Sequence, residues 1–459
     1  MKDSLQTVSD EKSLTKDILT IGVPSFLETL FTTFAAIIDS KMVSAMGVTA
    51  ISAVSVTNQP RLFIFSIFFA LNTVTTSLIA KYHGKNDRDA ANTVFDHALK
   101  LVVILSIVLG AIAVLLARPI MVLFSGQPDT LNDSIIYFRI IMGGMIFNLL
   151  FMSINSALRG FGMTKLTFAD NVLSCVVNLF FNYLLIEGHW GFPALGIAGA
   201  AIATVMGNVA AFILSMSFVC RKSLFICVPY CLEKKFRMTR DSLREIFSLA
   251  KNCAVDNLAM RATLIAVSGI TARIGSFQMA IYSVGNYLLN VNFALGTGLQ
   301  TAAVTLIGRS YGEQDWKRLS DYRKALLKTG MISAAVLAVI IMVSGKPFFR
   351  FFSTDDAFVT TGAISCILIG VITIFQTLKF IYNGCLQGVG MMREVMKCSI
   401  FAFSCVNLLL VALLVLVFHV GIWGVWIATM ASQASQALML HRHIQKTPVF
   451  FGEAPDDTV

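Results

Sequence analysis

Long apolar runs recur along almost the whole chain, separated by short polar segments. A helix that crosses the hydrocarbon core of a bilayer needs about 20 predominantly apolar residues. Runs of this length predict transmembrane helices near residues 17–43, 50–80, 93–117, 133–158, 166–187, 195–219, 246–272, 279–308, 324–345, 359–386, 395–418 and 422–441. No segment alternates with period two in units of about ten residues, which disfavours a membrane β-barrel. The pattern therefore predicts an all-α membrane protein with twelve transmembrane helices.

Composition supports a bilayer environment. Of the 459 residues, 56% are hydrophobic and only 14% are charged. A soluble domain has roughly a quarter charged residues, so this chain has too few polar side chains to cover a water-soluble particle. The first apolar run follows a polar segment, residues 1–16, which is not the pattern of a cleaved signal peptide.

The net charge of +10 is distributed unevenly along the chain. With the N-terminus inside, the predicted helices place most basic residues on one side, leaving Lys41, Arg118, Arg273, Lys346 and Arg350 on the other. This asymmetry follows the positive-inside rule and predicts that both termini are cytoplasmic. The charge excess therefore indicates topology, and we expect no nucleic-acid partner.

The chain resembles itself at an offset of 228 residues. In chain order, the matches are Glu28 with Asp256, Gly47 with Gly275, Asn58 with Asn286, 78–87 with 306–315, and 158–162 with 386–390. Near the end the offset slips by three, and residues 196–204 recur as 421–429. Matches that include Gly, Asp and Asn in a constant order indicate an internal duplication.

The duplication predicts two six-helix lobes. Because each half has an even number of helices, both enter the membrane the same way round, and a pseudo-two-fold axis along the membrane normal relates them. The predicted domains are an N-lobe at 1–220, a cytoplasmic linker at 221–243, a C-lobe at 244–441 and a cytoplasmic tail at 442–459.

Asp39 is the first candidate for function, because a charged side chain at mid-membrane costs at least about 2.5–3.5 kcal/mol. Lys41 is two residues on, across the helix, and so is not its partner. Asn178 and Asn182 lie one turn apart on the fifth predicted helix, and Thr204 lies on the sixth. A carboxylate with amide and hydroxyl oxygens suits a hard monovalent cation, and a lone carboxylate also suits a proton.

The C-lobe carries a second polar group. Asp256 and Arg261 are about 140° apart around one helix, so Lys379 on another helix is the expected partner of Asp256. Polar faces on the eighth and tenth helices are formed by Tyr282, Asn286 and Asn290, and by Gln376, Lys379, Tyr382 and Asn383. Two readings stay open: a shared water-filled cavity, or a structural network. We interpret Arg61 and Arg139 as paired structural charges.

Other chemistries have little support in the sequence. Six of the nine cysteines lie in apolar helices, and Cys220, Cys227 and Cys231 lie near the reducing cytoplasmic linker, so all are expected to be free thiols. The glycine motifs at 159–162 and 387–390 lack the lysine and the preceding strand of a nucleotide-binding loop. We therefore expect neither an enzyme nor a channel.

In their order, these motifs resemble the multidrug and toxic compound extrusion (MATE) family over nearly the full chain. The resemblance is carried by the Asp39 helix with Gly47, by 84–87 and 312–315, by 158–165, by 178–182, and by 196–204. Residues 256–261 through 305–312 look most like its bacterial DinF-like branch. Related members often carry a second carboxylate one turn after the helix-five asparagine, where this chain has Asn182, and a helix-seven glutamate near Met260.

The resemblance implies a monomeric multi-pass protein of the bacterial cytoplasmic membrane, in contact with lipid. It implies export of small organic compounds, often cationic and lipophilic, by alternating access in exchange for protons or sodium ions, with no other cofactor. Asp39, Asn178 and Thr204 would then form an N-lobe cation site that accepts Na⁺. The alternative from the same superfamily is a flippase for lipid-linked saccharides.

Overall fold

The computed structural model describes residues 2–44, 46–124, 128–234, 236 and 240–454. These ranges are almost entirely helical. The α-helices are α1 (Lys2–Ser44), α2 (Val48–Gly84), α3 (Arg88–Leu115), α4 (Ala117–Phe124), α5 (Leu131–Gly143), α6 (Met145–Phe161), α7 (Thr164–Ile186), α8 (Ile197–Val219), α9 (Val228–Lys234), α10 (Arg240–Ile274), α11 (Ser276–Glu313), α12 (Trp316–Phe352), α13 (Asp356–Gly388), α14 (Met392–Ile400), α15 (Leu408–Val411) and α16 (Ile422–Gln445).

Every span predicted from the apolar runs coincides with a helix or a helix pair, which confirms the all-α membrane fold. In the described ranges, ten helices are long and apolar enough to cross a membrane, and the bent pair α5–α6 makes an eleventh. The twelfth predicted span is α16, which is less apolar because it carries Ser432, Gln433 and Gln436.

The fourth predicted span is not one straight helix. α5 and α6 meet at a 47° bend next to Gly144. A Cβ atom on Gly144 would lie 2.5 Å from a Val205 methyl group on α8, which is too close for any side chain. Glycine therefore lets α8 pack directly against the bend, which periodicity in the sequence did not reveal.

The helices form two compact units. One, the N-terminal unit, comprises residues 27–250, and the other, the C-terminal unit, comprises residues up to Phe26 together with those from Lys251 onward. In the second unit, Ile18 and Ile21 of α1 belong to the same core as Ala302 and Leu306 of α11. A Cβ atom on Gly298 would lie 2.6 Å from the Gly22 carbonyl oxygen, so these two helices cross backbone to backbone. The lobe boundaries predicted from the sequence stay a prediction.

The segment after α8 is anchored to α3. Arg88 donates hydrogen bonds to the carbonyl oxygens of Leu224 and Phe225, and the Asn92 side chain accepts one from the Cys227 backbone amide at 3.0 Å. All nine cysteines are free thiols, as predicted. Burial raises the pKa of Cys231 to about 12, so this linker thiol stays protonated and unreactive at neutral pH.

Helix α14 continues to α15 and beyond through two π-helical segments, Phe401–Asn407 and Ala412–Val417. A π-helical segment rotates the following side chains relative to a regular α-helix and often marks a functional site. Two residues of the first segment, Phe403 and Asn407, line a cavity in the C-terminal unit. The continuous apolar run at 395–418 predicted this helix but not its local geometry.

Candidate functional site

Asp39 lines a cavity of about 250 Å³ inside the N-terminal unit. The amide of Asn182 donates a hydrogen bond to the Asp39 carboxylate and a longer one, 3.4 Å, to the Asn178 carbonyl oxygen. Asn178 in turn donates to the Thr204 hydroxyl at 3.3 Å. The four residues that the sequence singled out are therefore brought together by α1, α7 and α8. Asp39, Asn178 and Thr204 line the cavity itself, which a small cation could enter, and Asn182 contacts Asp39 from outside its lining.

The same cavity contains polar residues that the sequence analysis did not assign to it. Arg61 donates a hydrogen bond to Asn58 at 2.9 Å and interacts electrostatically with Asp39. Tyr137 and Asn208 also line the cavity. Arg61 was interpreted as a structural charge, whereas it faces the candidate cation site. The i, i+3 spacing of Asn58 and Arg61 was the available signal, since it places both on one face of α2.

Glu28 lies in a separate cluster of the same unit. Its carboxylate forms a 2.5 Å ion pair with Arg159 and accepts hydrogen bonds from Thr167 and Asn171. Asp170 lies beside it, fully buried, and neither of its carboxylate oxygens has a hydrogen-bond partner among the described residues. The sequence analysis overlooked Asp170, although a carboxylate in the fifth predicted span should have been noted.

The C-terminal unit contains a cavity of about 310 Å³. Most of the predicted C-lobe residues line it: Arg261, Tyr282, Asn286, Asn290, Gln376 and Lys379. Asp256 and Tyr382 do not line it, and Tyr382 instead packs its ring against His441. Trp426, Thr429 and Gln433 of α16 complete the wall, and the sequence analysis did not assign them to this site. Six of the predicted residues therefore line one cavity, and Gln376 also accepts a hydrogen bond from Asn292.

The predicted direct ion pair between Asp256 and Lys379 is not formed in the described part of the chain. The two groups interact electrostatically, but Asp256 lies next to the Ser399 hydroxyl. The Lys379 ammonium group lies 4.6 Å from the centre of the Phe380 ring and 5.3 Å from that of Phe403. These aromatic faces attract the cation.

The two cavities occupy corresponding positions of the internal repeat. At the offset of 228, their lining residues match as Thr32 with Met260, Ala36 with Leu264, Asp39 with Val267, Val54 with Tyr282, Asn58 with Asn286, Arg61 with Leu289, and Cys175 with Phe403. At the slipped offset, Thr204 matches Thr429 and Asn208 matches Gln433. The duplication therefore reproduces the place of the cavity but not its charged groups.

Comparison with known proteins identifies the family. The model of the MatE family matches the chain twice, over residues 24–184 and 253–413. These two matches confirm the internal duplication.

Several curated relatives are similar over most of their length. A probable multidrug resistance protein NorM from Thermotoga maritima is 21% identical over 375 residues, covering 82% of this chain and 80% of the relative. The multidrug export protein MepA from Staphylococcus saprophyticus is 23% identical over 398 residues, covering 86% of each.

Solved structures show the same fold. The outward-facing conformation of a multidrug resistance MATE family transporter superposes with a TM-score of 0.87 at 18% identity, covering 94% of this chain and 96% of that one. A crystal structure of MATE in complex with MaL6 also gives a TM-score of 0.87. The family match covers more than half of the residues and shows that this chain belongs to the MatE family of membrane transporters.

Proposed function

We propose that this protein is a secondary active multidrug exporter that exchanges small organic compounds for protons or sodium ions. Relatives that align with most of this chain are named a multidrug export protein and probable multidrug resistance proteins. No relative reported above carries a name that favours the flippase alternative. Export against a gradient needs an energy source, and an ion-binding carboxylate within the membrane can supply the coupling.

The proposal rests on the environment of Asp39 in its cavity. A carboxylate on a membrane-spanning helix is costly unless it is paired, protonated or bound to a cation. Asp39 has an amide partner in Asn182 and a nearby positive charge in Arg61, but among the described side chains it has no direct ion pair. It therefore retains the capacity to bind a proton, or Na⁺ with oxygens from Asn178 and Thr204.

Coupling requires that the ligation of Asp39 differs between the outward-open and inward-open states. An ion shifts a conformational equilibrium only by the difference in its affinity for the two states. Asp39, Asn182 and Thr204 lie on three different helices, so a movement of α1 relative to α7 and α8 would change the distances among their side chains. Filling the N-terminal cavity would then bias the protein toward one state without direct contact between ion and substrate.

Transport by purified protein in liposomes tests this function. Proton and sodium gradients are imposed separately, and export of dyes of opposite charge, ethidium and fluorescein, is followed by fluorescence. We expect one gradient to drive export by the unchanged protein and Asp39→Asn to reduce it to the level of protein-free liposomes. Glu187→Gln, which removes an exposed acid of the same unit, serves as the matched control and should transport normally.

Gradient-driven export that survives in Asp39→Asn would contradict the assignment of coupling to this site. The coupling role would then move to another carboxylate of the membrane-spanning helices, Glu28, Asp170 or Asp256. Failure of the unchanged protein to respond to either gradient would overturn cation-coupled export altogether.

A further inference from the structure

The cavity of the C-terminal unit carries two positive charges. Arg261 and Lys379 line it, and no acidic side chain does among its described lining residues. Asp256 interacts with Lys379 from outside the cavity wall. Arg261 is half-buried, and within the described ranges it has neither an ion pair nor a hydrogen bond. One positive charge of the cavity is therefore left without a partner.

An uncompensated cation is expensive in this environment. Placing a charged side chain at mid-membrane is costly, and such residues commonly lie along substrate pathways. Arg261 is half-buried and has no acidic partner among the described residues, so only solvent offsets this cost. An anionic ligand in the cavity would supply the missing countercharge.

A second observation also indicates a ligand that accepts hydrogen bonds. Trp426 lines the cavity and is fully buried, yet its indole N–H has no partner among the described residues. An indole N–H can only donate a hydrogen bond, and a buried donor normally has an acceptor. Tyr282 and Asn290 add further polar groups to the same wall.

We propose that this cavity binds the anionic group, a carboxylate or a phosphate, of a small organic molecule. Arg261 and Lys379 neutralise the charge, and Trp426 donates a hydrogen bond to an anionic oxygen. A volume of about 310 Å³ accommodates a molecule of one or two rings. Two like charges in the wall disfavour a permanent organic cation at this position.

The inference deepens the proposed function, on which it rests for calling the ligand a substrate. The exporter would take compounds with an anionic group, including zwitterions, into the C-terminal unit, while the coupling cation binds in the N-terminal unit. The anionic substrate and the coupling cation would thus bind in separate cavities.

Equilibrium binding tests the cavity without any ion gradient. Isothermal titration calorimetry on the purified full-length protein compares 2-naphthoate with 2-naphthamide, which has nearly the same shape and no charge. We expect the carboxylate to bind at least about tenfold more tightly, since a charge-assisted hydrogen bond contributes more than a neutral one. Equal affinities for the two compounds would overturn the proposal.

Substitutions of the two cationic residues test whether naphthoate binds in this cavity. Arg261→Gln should weaken naphthoate binding by about tenfold and leave naphthamide unaffected. Lys379→Arg, which keeps the charge, should bind naphthoate within a few-fold of the unchanged protein, whereas Lys379→Met should lose binding as Arg261→Gln does. Lys346→Met removes an exposed lysine of the same unit as the control. Naphthoate affinity unchanged in both charge-removing variants would place the anion elsewhere and refute the assignment.

The anionic group could belong to a water-soluble compound or to a lipid headgroup. Nanodiscs of phosphatidylcholine, with and without phosphatidylglycerol, distinguish these sources. Competition between phosphatidylglycerol and naphthoate that disappears in Arg261→Gln would support the anion site and identify lipid as one occupant. Binding independent of lipid charge would support the site with a soluble occupant.

Failure of this inference can be told apart from failure of the proposed function. If naphthoate does not bind while a gradient still drives export through Asp39, the anion site is wrong and the antiport stands. If naphthoate binds as expected but neither gradient drives export, the cavity stands as an anion site and the antiport is wrong.

Discussion

The two cavities differ in charge although the same duplicated framework builds them. Asn58 and Asn286 match in the repeat, as do Thr204 and Thr429, and each residue lines the cavity of its own unit. The carboxylate of Asp39 in the N-terminal cavity is replaced by the methyl groups of Val267 in the other. The duplication therefore preserved where a polar cavity forms, and single substitutions decided which charge it holds.

The cations of the C-terminal cavity likewise have uncharged counterparts. At the offset of 228, Arg261 matches Thr33 and Lys379 matches Phe151. A single charge dominates the field of a small cavity because the surrounding medium screens it weakly. The difference in charge between the two cavities therefore rests on a few positions: Asp39 and Arg61 in one cavity, and Arg261 and Lys379 in the other.

The largest effect is expected from giving the C-terminal cavity the carboxylate that Asp39 provides at the matching position of the N-terminal cavity. Val267→Asp places an acid in the wall that contains Arg261 and Lys379, where it would compete with a bound anion. We expect naphthoate affinity to fall about a hundredfold, since like charges in a cavity cost several kcal/mol. Calorimetry measures the change, and Val267→Asn controls for the loss of apolar volume. Unchanged binding in Val267→Asp would mean that the cavity charge does not control recognition.

A smaller effect concerns stability and the link between Asp256 and Lys379. Lys379→Met leaves the Asp256 carboxylate without its nearby positive charge, and we expect a loss of roughly 2 kcal/mol, less than the roughly 3–5 kcal/mol for a direct buried pair. The melting temperature in detergent should fall by a few degrees. The double variant Lys379→Met with Asp256→Asn should partly recover the melting temperature of the unchanged protein. Additive losses in the double variant would show that the two groups are not coupled.

The smallest effect is expected from removing a threonine hydroxyl group at matching positions of the two cavities. Thr204 accepts a hydrogen bond from Asn178 in the candidate cation site, so Thr204→Ala should raise about threefold the coupling-ion concentration for half-maximal export. Thr429→Ala, at the matching position, should leave that concentration unchanged. Dose–response curves in liposomes measure both values. Equal shifts in the two variants would indicate that both cavities take part in ion coupling.

Much of the candidate site was accessible from the sequence because bilayer energetics makes polar residues conspicuous. Asp39, Asn178, Asn182 and Thr204 interrupt apolar runs, and the structure brings all four together. The same logic identified Arg261 and Lys379. It failed for Asp170, which was overlooked, and for Tyr382, whose polar ring packs against His441 outside the cavity.

The sequence by itself determined the membrane class, the number of spans and the duplication, since these depend on hydropathy and spacing along the chain. Only the tertiary structure decided which polar groups meet. It showed that Arg61 faces Asp39, that Lys379 lies against aromatic rings, and that α16 supplies Trp426 to the cavity wall. The reason is physical: hydropathy records which residues tolerate lipid, whereas the partners of a buried polar group depend on how distant helices rotate and pack.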